Sequence, residues 1–143
     1  MRPGDALPSI SKEVTQEAIR AYAEASGDFN PLHLDPEFAV TTHFGRPVAH
    51  GMLVLAYIGE MMALAFGKSW PESGRLKVRF RSPVYPGDRV STFGEVLRVV
   101  EESDGQLRLE CYVGCRNEGG EEVINGEASV TMTRENRGDV ASD

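Results

Sequence analysis

The sequence lacks the features that mark nucleic-acid-binding and membrane proteins. Its net charge is −7, with 15 Lys and Arg against 22 Asp and Glu. It therefore lacks the positive charge that phosphate backbones and anionic membrane surfaces attract. Its long apolar run, residues 51–66, is too short to cross a bilayer and contains Glu60. We therefore expect neither a nucleic-acid partner nor a membrane partner.

Cysteine is scarce, with only Cys111 and Cys115 in the chain. The two lie four positions apart in a predicted strand, about 13 Å at roughly 3.3 Å per residue, which is too far for a disulfide between them. Both are in register with apolar neighbours, which favours buried free thiols. No secretory signal follows Met1. These observations predict a protein of a reducing, cytoplasmic compartment.

The chain has 143 residues, of which 41% are hydrophobic. This is enough for one hydrophobic core without stabilising disulfides or metals. We predict a single domain over residues 1–134. Residues 135–143 are polar and are predicted to form a disordered C-terminal tail.

The N-terminal third carries two helix signals. A short strand near Leu7–Glu13 is followed by Thr15, which can cap a helix over Gln16–Ser26. Asp35 and Pro36 are typical of the start of a second, short helix.

Residues 51–66 predict a long helix that is apolar nearly all the way round. Such a helix has to be buried on most sides, and a central helix enclosed by a curved sheet is the favoured arrangement. A peripheral helix at a subunit interface is the alternative, disfavoured because no polar face remains for solvent.

Beyond Gly67 the apolar residues alternate with polar ones, which indicates half-buried antiparallel strands. The alternation slips near Gly94, where we predict a bulge or strong bend. Turns are predicted at residues 86–88, 103–105 and 118–120. The inward positions of three strands are Leu76, Val78 and Phe80; Leu107, Leu109, Cys111, Val113 and Cys115; and Ile124, Gly126, Ala128, Val130 and Met132.

One long helix and about five antiparallel strands predict an α+β domain with the sheet wrapped around the helix. A half-open sheet has exposed edges, and pairing two copies of the chain edge to edge would cover them. We therefore expect a homodimer.

Residues 26–33 carry the clearest chemical signal. They place the carboxylate of Asp28 and the imidazole of His33 five positions apart, in a segment that Pro31 removes from regular helix. Rigid, irregular loops often present proton-transfer groups. The alternative is an Asx-type turn in which Asp28 and Asn30 only satisfy backbone groups. The loop alone does not decide between the two.

Three motifs follow one another along the chain. They are Tyr22 with Ser26-Gly27-Asp28-Phe29-Asn30-Pro31-Leu32-His33 and Ala39, then Pro47-Val48-Ala49-His50-Gly51-Met52, then Pro83-Val84-Tyr85-Pro86-Gly87-Asp88. Together they resemble the MaoC-like dehydratases, the hot-dog-fold family of the (R)-specific enoyl-CoA hydratases. The resemblance spans roughly residues 5 to 133, and its first motif is the most specific.

The resemblance implies that Asp28 and His33 act on one water, adding it across trans-2-enoyl-CoA to give (R)-3-hydroxyacyl-CoA, or running the reverse. Hydration needs a base for the water that attacks C3 and an acid that protonates C2. Asp28 is the favoured base, and His33 positions the water and shares in the proton transfer; the sequence does not separate which group performs which step. The N–H of Gly51 would stabilise the thioester oxygen, although Gly51 can also be a simple helix start. No metal or cofactor is implied beyond the CoA of the substrate.

Asn30, His50, Met52 and Gly59 are the candidate substrate-binding residues. Asn30 is better explained as holding the turn, and His50 as bracing the start of the helix. Some relatives carry a serine near the position of Gly59, and its replacement here removes a hydroxyl and could open space for a bulkier acyl group.

No metal site is predicted. A set of His33, Asp35, His43 and His50 can be imagined, but its spacing matches no ligand pattern, and His43 is better explained as a surface residue. Lys77, Arg79 and Arg81 alternate along one predicted strand and could serve an anionic cofactor, but a solvated strand face is the favoured interpretation. An acyl carrier protein is a possible partner, and these three residues with Arg89 could supply the basic rim that it would prefer.

Two other functions use the same fold. In a hot-dog thioesterase an acidic residue activates water against the thioester carbonyl, and a non-catalytic acyl-binding or regulatory dimer would need no chemistry. The presence of His33 beside Asp28 favours hydration over thioester hydrolysis, because C2 needs a proton donor nearby. The intact pair also counts against a pure binding role.

Overall fold

The computed structural model describes residues 1–133, so the predicted tail lies outside the described residues. In the described part of the chain, no helix is long and apolar enough to cross a membrane. The elements, in chain order, are β1 (Ser11–Glu13), α1 (Gln16–Ser26), α2 (Pro31–Leu34), α3 (Pro36–Ala39), α4 (Gly51–Phe66), α5 (Ser69–Ser73), β2 (Arg75–Phe80), β3 (Arg89–Glu101), a 3-10 turn (Ser103–Gly105), β4 (Leu107–Asn117) and β5 (Glu122–Met132).

The five strands form one antiparallel sheet in the order β1-β3-β4-β5-β2. The long strands β3, β4 and β5 pair as successive hairpins, while β1 and β2 lie at the two edges. The predicted α+β class and antiparallel sheet are confirmed.

The helix α4 packs its buried side against the sheet in a single hydrophobic core. Burial of each large side chain contributes about 1.5–3 kcal/mol to this packing. Most of the predicted inward positions of β4 and β5 are confirmed as buried; Leu107 and Gly126 are half-buried. The buried residues of α4 are Val54, Ile58, Met61, Met62, Ala65 and Phe66.

The sheet packs around one side of α4, which confirms the predicted arrangement of sheet and helix. The other side is more exposed than expected, with Met52 55% and Leu64 58% exposed. The charge on this side belongs to Glu60, whose Oε2 lies 3.2 Å from Lys12 Nζ in β1. We call this side the α4 stripe; its residues are Met52, Ala56, Glu60, Ala63 and Leu64.

The first strand is shorter than predicted. Regular pairing covers Ser11–Glu13 rather than Leu7–Glu13, because Pro8 has no N–H with which to continue the ladder. The preceding segment still follows β3, and the Leu7 N–H donates to the Gly94 carbonyl at 2.8 Å.

The irregularity in β3 lies at Leu97, where the register shifts between Val96 and Arg98, and not near Gly94 as predicted. Gly94 pairs regularly with β4. A Cβ at Gly94 would lie 2.6 Å from Leu7 Cδ1. The interrupted alternation at Gly94 therefore marks close packing against Leu7, not an extra residue.

The predicted helix cap and turns are present, but one short helix was missed. Thr15 caps α1 as predicted, with its Oγ1 accepting from the Ala18 N–H at 3.0 Å. The three predicted turns lie where expected, and the one after β3 places Asp104 at φ 63°. The short helix α5 was not predicted.

Cys111 and Cys115 are free and buried, as predicted. Burial raises the pKa of the Cys111 thiol to about 11 and that of the Cys115 thiol to about 12. Since a thiolate is disfavoured in the core, both thiols stay protonated and unreactive near neutral pH.

We expect Ellman's reagent to label neither thiol of the native protein at pH 8, and both in denaturant.

The free energy of unfolding should fall as pH rises above about 9 and through 11 to 12, because the unfolded thiols ionise before the folded ones. Urea titrations across this range, with a Cys111→Ala/Cys115→Ala variant to separate the thiols from Lys and Tyr, measure the effect. Rapid labelling of the native protein would contradict the burial.

Candidate active site

The loop after α1 begins with a tight turn at Gly27. Its φ is 79°, in the left-handed region that glycine adopts without strain. Its N–H donates to the Ala23 carbonyl at 2.9 Å, and the next N–H, of Asp28, donates to Ser26 Oγ at 3.2 Å. The helix therefore ends abruptly, and Asp28 leaves it at an exposed position.

Asp28 and Asn30 make the Asx contacts of the alternative hypothesis. Asp28 Oδ1 accepts from the Asn30 N–H at 3.2 Å, and Asn30 Oδ1 accepts from the Leu32 N–H at 3.0 Å. Asn30 thus caps α2, with Pro31 in its first turn. The expectation that residues 26–33 are wholly irregular is wrong at this end, because an Asn cap followed by Pro favours a helical turn.

His33 lies on α2 and is half-buried. Its Nδ1 is 2.8 Å from the carbonyl oxygen of Val48, and because a carbonyl only accepts, Nδ1 carries the proton. Nε2 then carries the lone pair that can accept a hydrogen bond or a proton from a ligand. The Gln16 side chain also donates to the His33 carbonyl at 3.3 Å, which ties α2 to α1.

The structure brings Asp28 and His33 together with His50. One carboxylate oxygen of Asp28 and one ring nitrogen of each histidine lie within 4.8 Å of one another. A single water placed between two such atoms can hydrogen-bond to both. The same spacing suits a cation, but Asp35 and His43 of the imagined metal set are not part of this cluster.

His50 is 2% exposed and directly precedes α4. Its Nε2 donates to the backbone carbonyl of Asp28 at 3.0 Å. Its ring stacks on that of His33, with centroids 3.9 Å apart and planes at 28°, and the Tyr22 ring lies 4.8 Å away. These contacts agree with the bracing role considered for His50 and leave little of its surface for a substrate.

Gly51 is the first residue of α4, where the backbone N–H groups have no partner within the helix. It has a neighbour that the sequence did not reveal. A Cβ at this position would lie 2.8 Å from Cε1 of Phe80. The ring of Phe80, at the end of β2, therefore lies against the start of the helix.

A groove of about 400 Å³ opens at Gly51. Phe80 forms part of its wall and is 55% exposed. The prediction that Phe80 points inward is therefore wrong. The reason is that β2 is an edge strand, and its last residue reaches past the core. Most of the groove is apolar, and Arg81 supplies a cation. Its lining comprises Phe44, Val48, Ala49, Gly51, Val54, Phe80, Arg81, Ser82, Pro83, Val84 and Ile124.

The remaining predicted positions are spread around this centre. Met52 lies exposed on the first turn of α4. Gly59 is half-buried, and a Cβ there would meet no atom of the described residues within 4 Å. His43 is exposed, as expected. The four cations proposed as a basic rim, Lys77, Arg79, Arg81 and Arg89, are exposed as well.

Sequence reasoning missed Val48, Phe80 and the groove. The carbonyl of Val48 sets the tautomer of His33, but a backbone contact across 15 positions leaves no mark in the side-chain pattern. Phe80 could have been noticed as an aromatic residue next to Arg81 at the end of an edge strand.

A sheet packed on one long helix, with an acid and an imidazole at the start of that helix, agrees with the hot-dog fold of the dehydratases. A model of the MaoC like domain matches residues 2–110, and the chain belongs to this MaoC-like family.

Two curated relatives and one solved structure support this. The chain is 34% identical over 128 residues to an (R)-specific enoyl-CoA hydratase of Aeromonas caviae, covering 86% of this chain and 90% of the relative. It is 33% identical to a mitochondrial 3-hydroxyacyl-[acyl-carrier-protein] dehydratase of Arabidopsis thaliana, covering 92% and 78%. The solved (R)-hydratase from A. caviae is 31% identical, with a TM-score of 0.77, covering 91% and 96%.

The contact between Gly51 and Phe80 predicts a tolerated substitution. In Gly51→Ala the new methyl meets only the far end of an exposed ring, which can move, so we expect a loss of about 1 kcal/mol or less. In the control Gly126→Ala, the Cβ would lie 2.1 Å from the Lys77 carbonyl oxygen, and we expect a loss of about 3 kcal/mol or more. Chemical denaturation measures both; equal losses would contradict the described packing.

Proposed function

We propose that this protein is a hydro-lyase that reversibly adds water to trans-2-enoyl-CoA to give (R)-3-hydroxyacyl-CoA. The observation that carries the proposal is the convergence of Asp28 and His33 within 4.8 Å beside the start of α4. The thioesters named for the similar proteins, one on CoA and one on a carrier protein, support the substrate class.

In the proposed reaction, one water lies between the Asp28 carboxylate and the His33 ring. Asp28 accepts a proton from the water as its oxygen bonds to C3, and the C2–C3 π electrons move towards the thioester carbonyl. C2 then receives a proton through the same pair, which restores the carbonyl. The Val48 carbonyl, by holding His33 Nδ1–H, keeps Nε2 available for the water.

The negative charge that develops on the thioester oxygen needs a donor. The N–H of Gly51, which has no hydrogen-bond partner within residues 1–133, provides one, and the positive end of the α4 dipole, roughly half an elementary charge, adds to it. The apolar groove beside Gly51, with Phe80 on its wall, would hold the chain next to the thioester. The open space at Gly59 supports a larger acyl group.

These groups supply each proton transfer and the oxyanion donor, so we propose that the reaction needs no metal or organic cofactor beyond the substrate's CoA. CoA is the proposed carrier. An acyl carrier protein would bring acidic side chains to the exposed cations Lys77, Arg79, Arg81 and Arg89. The two unpaired thiols support action in the reducing cytoplasm.

The deciding experiment follows the enoyl-thioester absorbance of crotonyl-CoA while free thiol is measured in parallel. Hydration gives loss of absorbance without thiol and an (R)-3-hydroxy product, and prior dialysis against EDTA should leave its rate unchanged. Release of thiol would make the protein a thioesterase. No change with crotonyl-CoA, longer enoyl-CoA or enoyl carrier protein would favour a binding role.

Asp28→Asn and His33→Gln should each lower kcat by about 10²-fold or more, because each removes one proton-transfer group. Asp35→Asn is the matched control: it changes a nearby acid outside the cluster and keeps the Oδ1 that accepts from the Glu37 N–H. Steady-state kinetics at equal folded concentration measure the effect. Near-normal turnover in either site variant would refute the assignment.

We also propose a homodimer in which the α4 stripe is covered by a second copy of the chain. The stripe is apolar apart from Glu60, which is already paired with Lys12. Among residues 1–133, the edge strand β2 pairs with β5 alone, which leaves its other side for pairing with a second copy. Covering an exposed apolar face of this kind is the usual reason for a symmetric contact.

Leu64→Glu should shift the protein from dimer to monomer, because the new charge would be buried in the interface. Leu97→Glu is the control, since Leu97 is a similarly exposed leucine at the β3 bulge, away from the stripe. Analytical ultracentrifugation over a range of concentrations separates the two species. A Leu64→Glu variant as dimeric as the control would place the interface elsewhere.

A further inference from the structure

His50 has no proton-transfer role in the proposed chemistry, yet it is more deeply buried than Asp28 or His33. We infer that His50 is a positioning residue that fixes the positions of Asp28 and His33 relative to each other. This inference rests on the proposed function for its kinetic consequence, but its structural basis is independent of any substrate.

The first contact of His50 fixes the backbone of Asp28. Within residues 1–133, the other hydrogen bonds of Asp28 reach only Ser26 and Asn30, in the same loop. The bond from His50 Nε2 to the Asp28 carbonyl crosses 22 positions and links the loop to the start of α4. Because that helix is anchored in the core, His50 transfers its rigidity to an otherwise exposed acid.

The second contact fixes the ring of His33. The Val48 carbonyl holds one ring edge through Nδ1, but a single hydrogen bond leaves the ring free to tilt. The His50 ring stacked at 3.9 Å removes that freedom. Tyr22 in turn lies against His50 at 4.8 Å and limits the motion of its ring. One buried side chain thus sets both the position of the acid and the plane of the imidazole.

The hydrogen bonding of His50 separates this role from simple packing. Its Nδ1 is buried and has no hydrogen-bond partner within the described residues. An unsatisfied buried nitrogen is unfavourable for stability, and an apolar ring of similar shape would leave none. Features that work against stability concentrate at functional sites. An imidazole at this position is therefore explained by its Nε2–H and its flat face together.

Two variants separate the two contacts. His50→Phe keeps a flat ring for the stack but loses the donor to Asp28, and His50→Gln keeps an N–H donor but loses the ring. We expect both to fold, with melting temperatures within a few degrees of the parent. We expect kcat for crotonyl-CoA to fall by about 10²-fold in His50→Phe, because the acid is misplaced, with KM changed by less than about threefold.

His50→Gln should have a higher kcat than His50→Phe, because it keeps the N–H donor to the Asp28 carbonyl. A purely structural role would lower stability in both variants and leave kcat of the folded protein unchanged. That result would overturn the inference.

A second measurement needs no activity. The chain has three histidines, so ¹⁵N–¹H spectra of the rings can be assigned by single substitutions. His33 should carry its proton on Nδ1 and His50 on Nε2, and the amides of residues 28–30 should exchange faster in His50→Phe. If the parent hydrated no thioester but showed these signals, the proposed function would fail and the bracing would stand. A His50 protonated only on Nδ1, or unchanged amide exchange, would refute the bracing.

Discussion

The packing of α4 against the sheet is the interaction on which the site depends. The buried face of this helix is anchored by the inward residues of β3, β4 and β5, which fixes where the helix starts. That start presents the N–H of Gly51, the His50 side chain and the carbonyl of Val48 within a few residues. The exposed loop after α1 has little core of its own and takes its geometry from this anchored end.

Two imidazoles and two backbone carbonyls connect the loop to the helix. His33 donates from Nδ1 to the helix side, and His50 donates from Nε2 to the loop side, at 2.8 Å and 3.0 Å. The hydrogen bonds run in opposite directions between the same two segments, and the rings that make them are stacked. Such a reciprocal arrangement resists both sliding and separation of the segments, and so keeps the acid and the imidazole at a constant distance.

The sequence was most informative where one local rule dominates. Thr15, Gly27 and the period-two strands were predicted because caps, turns and alternation are short-range properties. The acid–imidazole pair was found because its residues are close in sequence. Contacts between distant segments were not foreseen: Leu7 over Gly94, Phe80 over Gly51 and Val48 on His33 each depend on tertiary packing. The exposed side of α4 was not foreseen, because an apolar sequence does not distinguish a core from an uncovered face.

The position of Phe80 links two regions that would otherwise be independent. It is the last residue of the edge strand β2 and also part of the groove wall beside Gly51. Any neighbour that paired along this edge would contact the strand that carries the ring. A single aromatic side chain therefore belongs both to the outer border of the sheet and to the wall of the groove.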